Sequence, residues 1–224
     1  IYTSIMSEYR EEGSSENDTV SGVYDSGLII NSQEFDYVVT KLRLFFKSKG
    51  FIEAHPQNRL SILAACEDPY TVAKFNYAGK EWPLPQTGQM WLEYELLKNP
   101  KVPGFFCLST SYRQEPNPVP GRHDLIFPLF EFEMHGGMEE LIKMEEQLLQ
   151  YLGYPPDKFV RGSYLDMAEK YGVKELDHDH ETRMNDEESA TFFLTDFPEY
   201  TDPFWNMRRN SDTNLANKID VILS

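Results

Sequence analysis

Cysteine is nearly absent. The 224 residues hold two, Cys66 and Cys107, too few and too unpatterned for a disulfide framework or a zinc site, so a reducing cytoplasm is the expected compartment. Positive charge is also scarce: 21 Lys and Arg face 37 Asp and Glu, a formal net charge of −16. That balance does not suit nonspecific nucleic-acid binding, which depends on neutralising phosphates, and leaves only a local basic patch for such a partner. No apolar run is long enough to span a bilayer and no signal peptide is recognisable, so no membrane partner is expected. Aromatics, by contrast, are plentiful, at 14% within 40% hydrophobic residues. This is the composition of a folded chain with a substantial core, in one large domain or two small ones.

The richest stretch runs from Cys107 to Met134. Two alternating runs flank a turn crowded with Pro116, Pro118, Pro120 and Gly121, which predicts an antiparallel hairpin with a long loop. Side chains alternate between faces along a strand. Phe106, Leu108 and Tyr112 on the outgoing run, and Ile126, Pro128, Phe130, Phe132 and Met134 on the return, make an apolar face. The opposite face gathers Ser109, Ser111, Arg113 and Glu115 with Phe127, Leu129, Glu131 and Glu133, and Arg122 and His123 lie in the loop. An arginine fork grips phosphate, a phenyl ring offers a flat surface to a purine, and carboxylates accept amine protons or hold Mg²⁺ beside phosphate oxygens. The polar face therefore suits a nucleotide, or else a salt-bridged sheet face covered by a helix.

The order Arg113-Gln-Glu115, loop, Arg122-His123, Phe127, then Glu131-Phe-Glu133 resembles motif 2 of class II aminoacyl-tRNA synthetases, in the aspartate/asparagine/lysine subgroup. The resemblance implies roles for five residues in holding ATP. Arg113 falls on the α-phosphate, Glu115 on the adenine amino group, Arg122 and His123 near the γ-phosphate, and Phe127 against adenine. Glu131 falls either on Mg²⁺ or on the amino group of the substrate, and these two roles stay open.

The rest of the chain extends the match over residues 35–224. Residues 1–31 read as a polar arm. From Ser32, Phe35, Val38, Val39, Leu42, Phe45 and Phe46 recur at helical spacing up to a stop at Gly50, and a short strand Phe51–Pro56 follows. This order resembles motif 1, the dimer-interface element of the family, and implies a homodimer. Glu67, in Cys66-Glu-Asp68, sits where the family closes an acidic loop on the amino group of the substrate, though the spacing departs from the usual pattern. Gln86-Thr-Gly-Gln89 opens an amphipathic helix reaching about Lys98 and resembles the Gln-Ser-x-Gln segment, which assigns Gln89 to the amino-acid substrate. Aspartate enzymes carry a lysine three residues further on, whereas asparagine enzymes carry leucine and then glutamate. Here the residues are Leu92 and Glu93. A carboxylate accepts an amide N–H but repels a second carboxylate, so the segment leans towards asparagine over aspartate.

Helices are expected at Met138–Tyr151, with Glu145 among its outward residues, and at Ser163–Tyr171. His178-Asp-His-Glu181 reads as a charged loop, since histidines two apart share a face only on a strand. Thr191–Pro198 and Lys218–Leu223 read as strands, and Asp220 falls where the family helps bind Mg²⁺. The family then continues with a second magnesium-binding glutamate and the motif 3 arginine, neither of which precedes Ser224. The expectation is a chain that continues past Ser224, or a shortened paralogue.

These readings imply an α+β fold, an antiparallel sheet flanked by helices, with a polar arm at 1–31 and a class II synthetase-like core at 32–224. They imply an ATP- and Mg²⁺-dependent ligase that activates asparagine or aspartate as its adenylate and passes it to tRNA. Two alternatives stand beside this: transfer to ammonia or another amine, and a non-catalytic module that binds ATP and the amino acid.

Overall fold

A computed structural model of the chain describes residues 30–56, 72–114, 116, 118, 124–203 and 207–223. They form two compact units, 30–135 and 136–223.

In the first unit, Asn31 starts helix α1 (Ser32–Ser48) by accepting the backbone N–H groups of Gln33 and Glu34 at 2.9 and 3.3 Å, groups that a helix start otherwise leaves unsatisfied. Val39, Leu42, Phe45 and Phe46 form its buried stripe. Beyond α1, the strand expected over Phe51–Pro56 is only β1 (Ile52–Glu53), because His55 and Pro56 leave the ladder, and proline has no N–H to donate to it. Strands β2 (Lys74–Tyr77) and β3 (Lys80–Pro83) make a separate hairpin. Helix α2 (Gln89–Lys98) precedes β4 (Gly104–Tyr112) and β5 (Ile126–Met134).

The sheet order is β1-β4-β5, with β1 parallel to β4 and β4 antiparallel to β5. The register pairs Phe106 with Phe132 and Leu108 with Phe130 on one face, and Cys107 with Glu131 and Ser111 with Phe127 on the other. The predicted division of faces is thus observed. Phe46 packs on the apolar face, its ring 4.8 Å from Phe132, 5.5 Å from Phe130 and 5.7 Å from Phe106. On the polar face, α2 buries Leu92 and Leu96 against Phe105 and Cys107, closing one end and leaving the end near Arg113 for polar groups.

The second unit contains α3 (Met138–Leu152), β6 (Phe159–Ser163), α4 (Tyr164–Tyr171), α5 (His178–Glu187), β7 (Thr191–Phe197) and β8 (Ala216–Leu223). Its sheet runs β6-β7-β8, parallel then antiparallel. One face packs Phe193 and Leu223 with Ile142 and Leu149 of α3. The other packs Phe192 and Leu194 with residues of α4 and α5, including Met167 and Met184. Alternation along β7 therefore feeds two cores at once.

Two expectations are corrected here. His178–Glu181 is the first turn of α5, not a loop, because Asp177 caps it by accepting the N–H groups of Asp179 and His180. Glu145 is buried with Ile142, Leu148 and Leu149 rather than facing water, because α3 turns that face onto the sheet. Among the described residues, no helix is long and apolar enough to cross a membrane.

Candidate active site

The polar face of β4 and β5 is built around Glu131. Thr87 donates its hydroxyl to one carboxylate oxygen. The Gly88 N–H donates to the other at 2.6 Å, and the Ser109 hydroxyl reaches that same oxygen at 3.2 Å. The thiol of Cys107 lies beneath, 3.9 Å away, its pKa pushed up by burial and by Glu131. Burial also raises the Glu131 pKa, while the Thr87, Gly88 and Ser109 donors and the charge of Arg113 pull it back. Glu131 is thus a buried carboxylate supplied with its own donors.

Glycine is required at 88 because the turn passes so close. A Cβ there would stand 2.8 Å from Cys107 Sγ and 3.1 Å from Glu131 Oε2. The turn is pinned to β4 as well: Ser111 donates to the Gln86 carbonyl at 2.7 Å, and Tyr112 N–H donates to that of Pro85 at 2.9 Å. Gln86, Thr87 and Ser111 are almost fully buried. Within Gln86–Gln89 the sequence assigned a role to Gln89 alone. The signal it missed is a hydroxyl and a glycine preceding Gln89, the pattern that lets a backbone and a side chain donate to one carboxylate.

Arg113 leaves the end of β4 with its Nε donating to Ser111 Oγ at 2.9 Å and its guanidinium 5.9 Å from the Phe127 ring centroid. Arg113 and Phe127 are therefore neighbours, consistent with the register that sets Ser111 opposite Phe127. At the other end, Gln89 Nε2 donates to Glu93 Oε1 at 3.1 Å. Glu133 joins them: burial, then the charge of Glu93, push its carboxyl up to about 7 against a hydrogen bond from Gln89. Arg113, Phe127, Gln89, Glu93 and Glu131 thus share one unit, and Glu133, expected on the same face, joins the Gln89–Glu93 end.

Asp220 lies in the other unit, on β8 opposite Leu194, and pairs with Lys218 Nζ at 2.8 Å. Glu67, Glu115, Arg122 and His123 fall outside the described residues. Among the described residues, no group of three His, Cys, Asp or Glu side chains is arranged to hold a metal ion. The donor set separates the two carboxylates proposed for magnesium. The Glu131 oxygens are already engaged by three donors, out of roughly four acceptor directions. Asp220, its side chain 43% exposed, is engaged by the Lys218 ammonium.

Comparison with solved structures finds the same fold. Asparaginyl-tRNA synthetase from Pyrococcus horikoshii complexed with asparaginyl-adenylate matches with a TM-score of 0.71 at 21% identity, covering 84% of this chain and 49% of that one. Entamoeba histolytica asparaginyl-tRNA synthetase in complex with asparaginyl-adenylate matches at 0.70 and 20%, covering 85% and 49%. A putative aspartyl-tRNA synthetase from Leishmania major Friedlin matches at 0.64 and 18%, covering 83% and 48%. The chain spans about half the length of these structures. Comparison with curated proteins found no match. The profile of the tRNA synthetases class II (D, K and N) covers residues 30–224, 195 of the 224, and with that much of its length matched the chain belongs to that family.

Proposed function

We propose that the polar face of β4 and β5 joins an amino acid to ATP, forming an aminoacyl-adenylate, with asparagine as the favoured substrate and tRNA as the acceptor. In this reaction a substrate carboxylate oxygen attacks the α-phosphorus in line, and pyrophosphate leaves with the electrons of the broken P–O bond. The main requirement is fixed positive charge where negative charge shifts in the transition state. Arg113, held by Ser111 beside Phe127, supports that role. Phe127 would carry the adenine, with Glu115, Arg122 and His123 as its further ATP contacts. Magnesium is the expected cofactor, and Asp220 of the second unit is the residue that would hold it.

Glu131 is read as an acceptor for the substrate amino group rather than a metal ligand, since its donors fix its orientation and leave about one acceptor direction, enough for one N–H. Substrate preference rests on one observation, the Gln89–Glu93–Glu133 cluster. Two carboxylates around an amide accept the N–H groups of asparagine and oppose the charge of aspartate. Glu67 is carried as a further contact to the substrate amino group. The exposed Tyr37 and Leu44 of α1, 64% and 57% accessible, support a homodimer through that helix.

Amino-acid-dependent exchange of pyrophosphate into ATP tests the proposal, with asparagine and aspartate assayed separately. Exchange with asparagine, weak with aspartate and reversed in preference by Glu93→Lys, is expected. Equal exchange with both would defeat the substrate assignment, and none with either would defeat activation by this chain.

A further inference from the structure

The second unit has a cavity of about 400 Å³ between α3 and β6. Glu139, Ile142, Lys143 and Glu146 of α3 line one side of it, because their spacing of three, one and three residues puts them on one helix face. β6 is the edge strand of its sheet. Phe159 and Arg161 alternate onto one side of that strand, in register with Thr191 and Phe193 of β7. Ile142, Phe159, Val160 and Phe193 supply the apolar lining, with the Phe159 ring edge-on to Phe193 at 5.7 Å. Ile142 and Phe193 are its buried base, and Val160, 37% accessible, is on its open side.

Four charged side chains surround this apolar base. Two of them cancel: Arg161 Nη1 donates to both Glu139 oxygens, at 2.9 and 3.2 Å, and the pair ties β6 to α3. The other two, Lys143 and Glu146, are exposed on α3 and form no ion pair among the described residues. Side chains three apart on a helix are neighbours, about 5–6 Å between Cβ atoms, so one cation and one anion overlook the same cavity. A matching ligand carries both charges close together above an apolar body. Glu146 opposes a simple anion, Lys143 opposes a simple amine, and a residue inside a peptide carries neither charge. A free α-amino acid carries both on one carbon. Its side chain is apolar here, since an amide such as that of asparagine would be desolvated against hydrocarbon.

We propose that the α3–β6 cavity binds a free α-amino acid with an apolar side chain of leucine or phenylalanine size, its carboxylate on Lys143 and its ammonium on Glu146. This ligand is additional to the substrate proposed for β4 and β5. The test is isothermal titration calorimetry on the whole chain with L-leucine, L-phenylalanine, N-acetyl-L-leucine and L-leucinamide, the last two each lacking one of the charges. Leucine and phenylalanine are expected to bind saturably, one to one, and the two derivatives about tenfold more weakly. Lys143→Met and Glu146→Gln, both at exposed positions, should each weaken leucine about tenfold. Val160→Trp should abolish binding by filling the cavity from its open side. Gln89→Ala, in the first unit, should leave leucine affinity unchanged.

No saturable binding of either amino acid would overturn the proposal. So would N-acetyl-leucine or leucinamide binding as tightly as leucine, a result read on the wild-type chain alone, because one charge would then suffice. Leucine affinity indifferent to both Lys143→Met and Glu146→Gln, or lost in Gln89→Ala, would place the ligand outside this cavity and overturn it as well.

Discussion

Two buried glutamates divide the molecule. Glu131 in the first unit is buried beside one hydroxyl, one backbone N–H and a second hydroxyl, all donating to it. Glu145 in the second is 9% exposed on the inner face of α3, and its Oε2 has no hydrogen-bond partner. Burial raises both pKa values. At Glu131 donors and the Arg113 charge oppose it, whereas at Glu145 desolvation pushes the carboxyl up to about 8. Burial alone therefore does not mark a site. A supply of donors does, because the fold commits backbone and hydroxyls to hold one carboxylate ready to accept a proton donor from outside.

Changes to the two regions should have different readouts. The largest effect is expected at Arg113→Ala, with pyrophosphate exchange falling roughly 10²–10³-fold if the arginine is a preorganised charge stabiliser; a loss under tenfold would remove it from the chemistry. Gly88→Ala comes next. Its Cβ must displace Cys107 and the Glu131 carboxylate, and a shift approaching 1 Å at a reacting centre costs about 10²-fold in rate. Unchanged exchange in this variant would mean the Glu131 frame does not position substrate.

In the second region, Glu145→Gln should change stability and leave exchange alone. The folded state holds a proton on Glu145 up to about pH 8, while the unfolded chain releases it near the ordinary value of 4.5. Wild-type stability from this group is thus fully present below about pH 4.5, declines as pH rises, and levels off above 8. The variant should gain on wild type across that window, by about 4 kcal/mol at pH 8, read as the difference in urea midpoints. A constant difference with pH would contradict a neutral buried Glu145.

The smallest effect is expected at Thr87→Val, which removes one donor from Glu131, about 1.5 kcal/mol, or roughly tenfold in exchange at neutral pH. Since that donor lowers the Glu131 pKa, the acid limb of the pH profile should move to higher pH, with recovery on the alkaline side. An unmoved profile would separate Glu131 from the rate.

Strand alternation made the hairpin legible, because one face of nine-residue strands repeats with period two. It foresaw the Phe106/Phe132 core and the gathering of Arg113, Phe127 and Glu131. It did not reveal Thr87 and Gly88 as donors, because they come from a turn some forty residues before Glu131 in the chain, and the contact depends on tertiary packing. Glu145 was misread for a related reason. A glutamate at a helical position reads as solvated, and only the packing of α3 on its sheet turns it inward. The α5 helix was hidden by its composition, since a run as polar as His178–Glu187 has a weak apolar stripe, and its signal was the single cap Asp177.

The most direct measurement is calorimetric titration with a non-hydrolysable asparaginyl-adenylate analogue, on wild type, Arg113→Ala and Thr87→Val, because it reads the site without requiring turnover. Saturable one-to-one binding, weakened most by Arg113→Ala and less by Thr87→Val, is the expected result. Absence of binding, or binding indifferent to both substitutions, would show that the polar face of β4 and β5 is not where the adenylate forms.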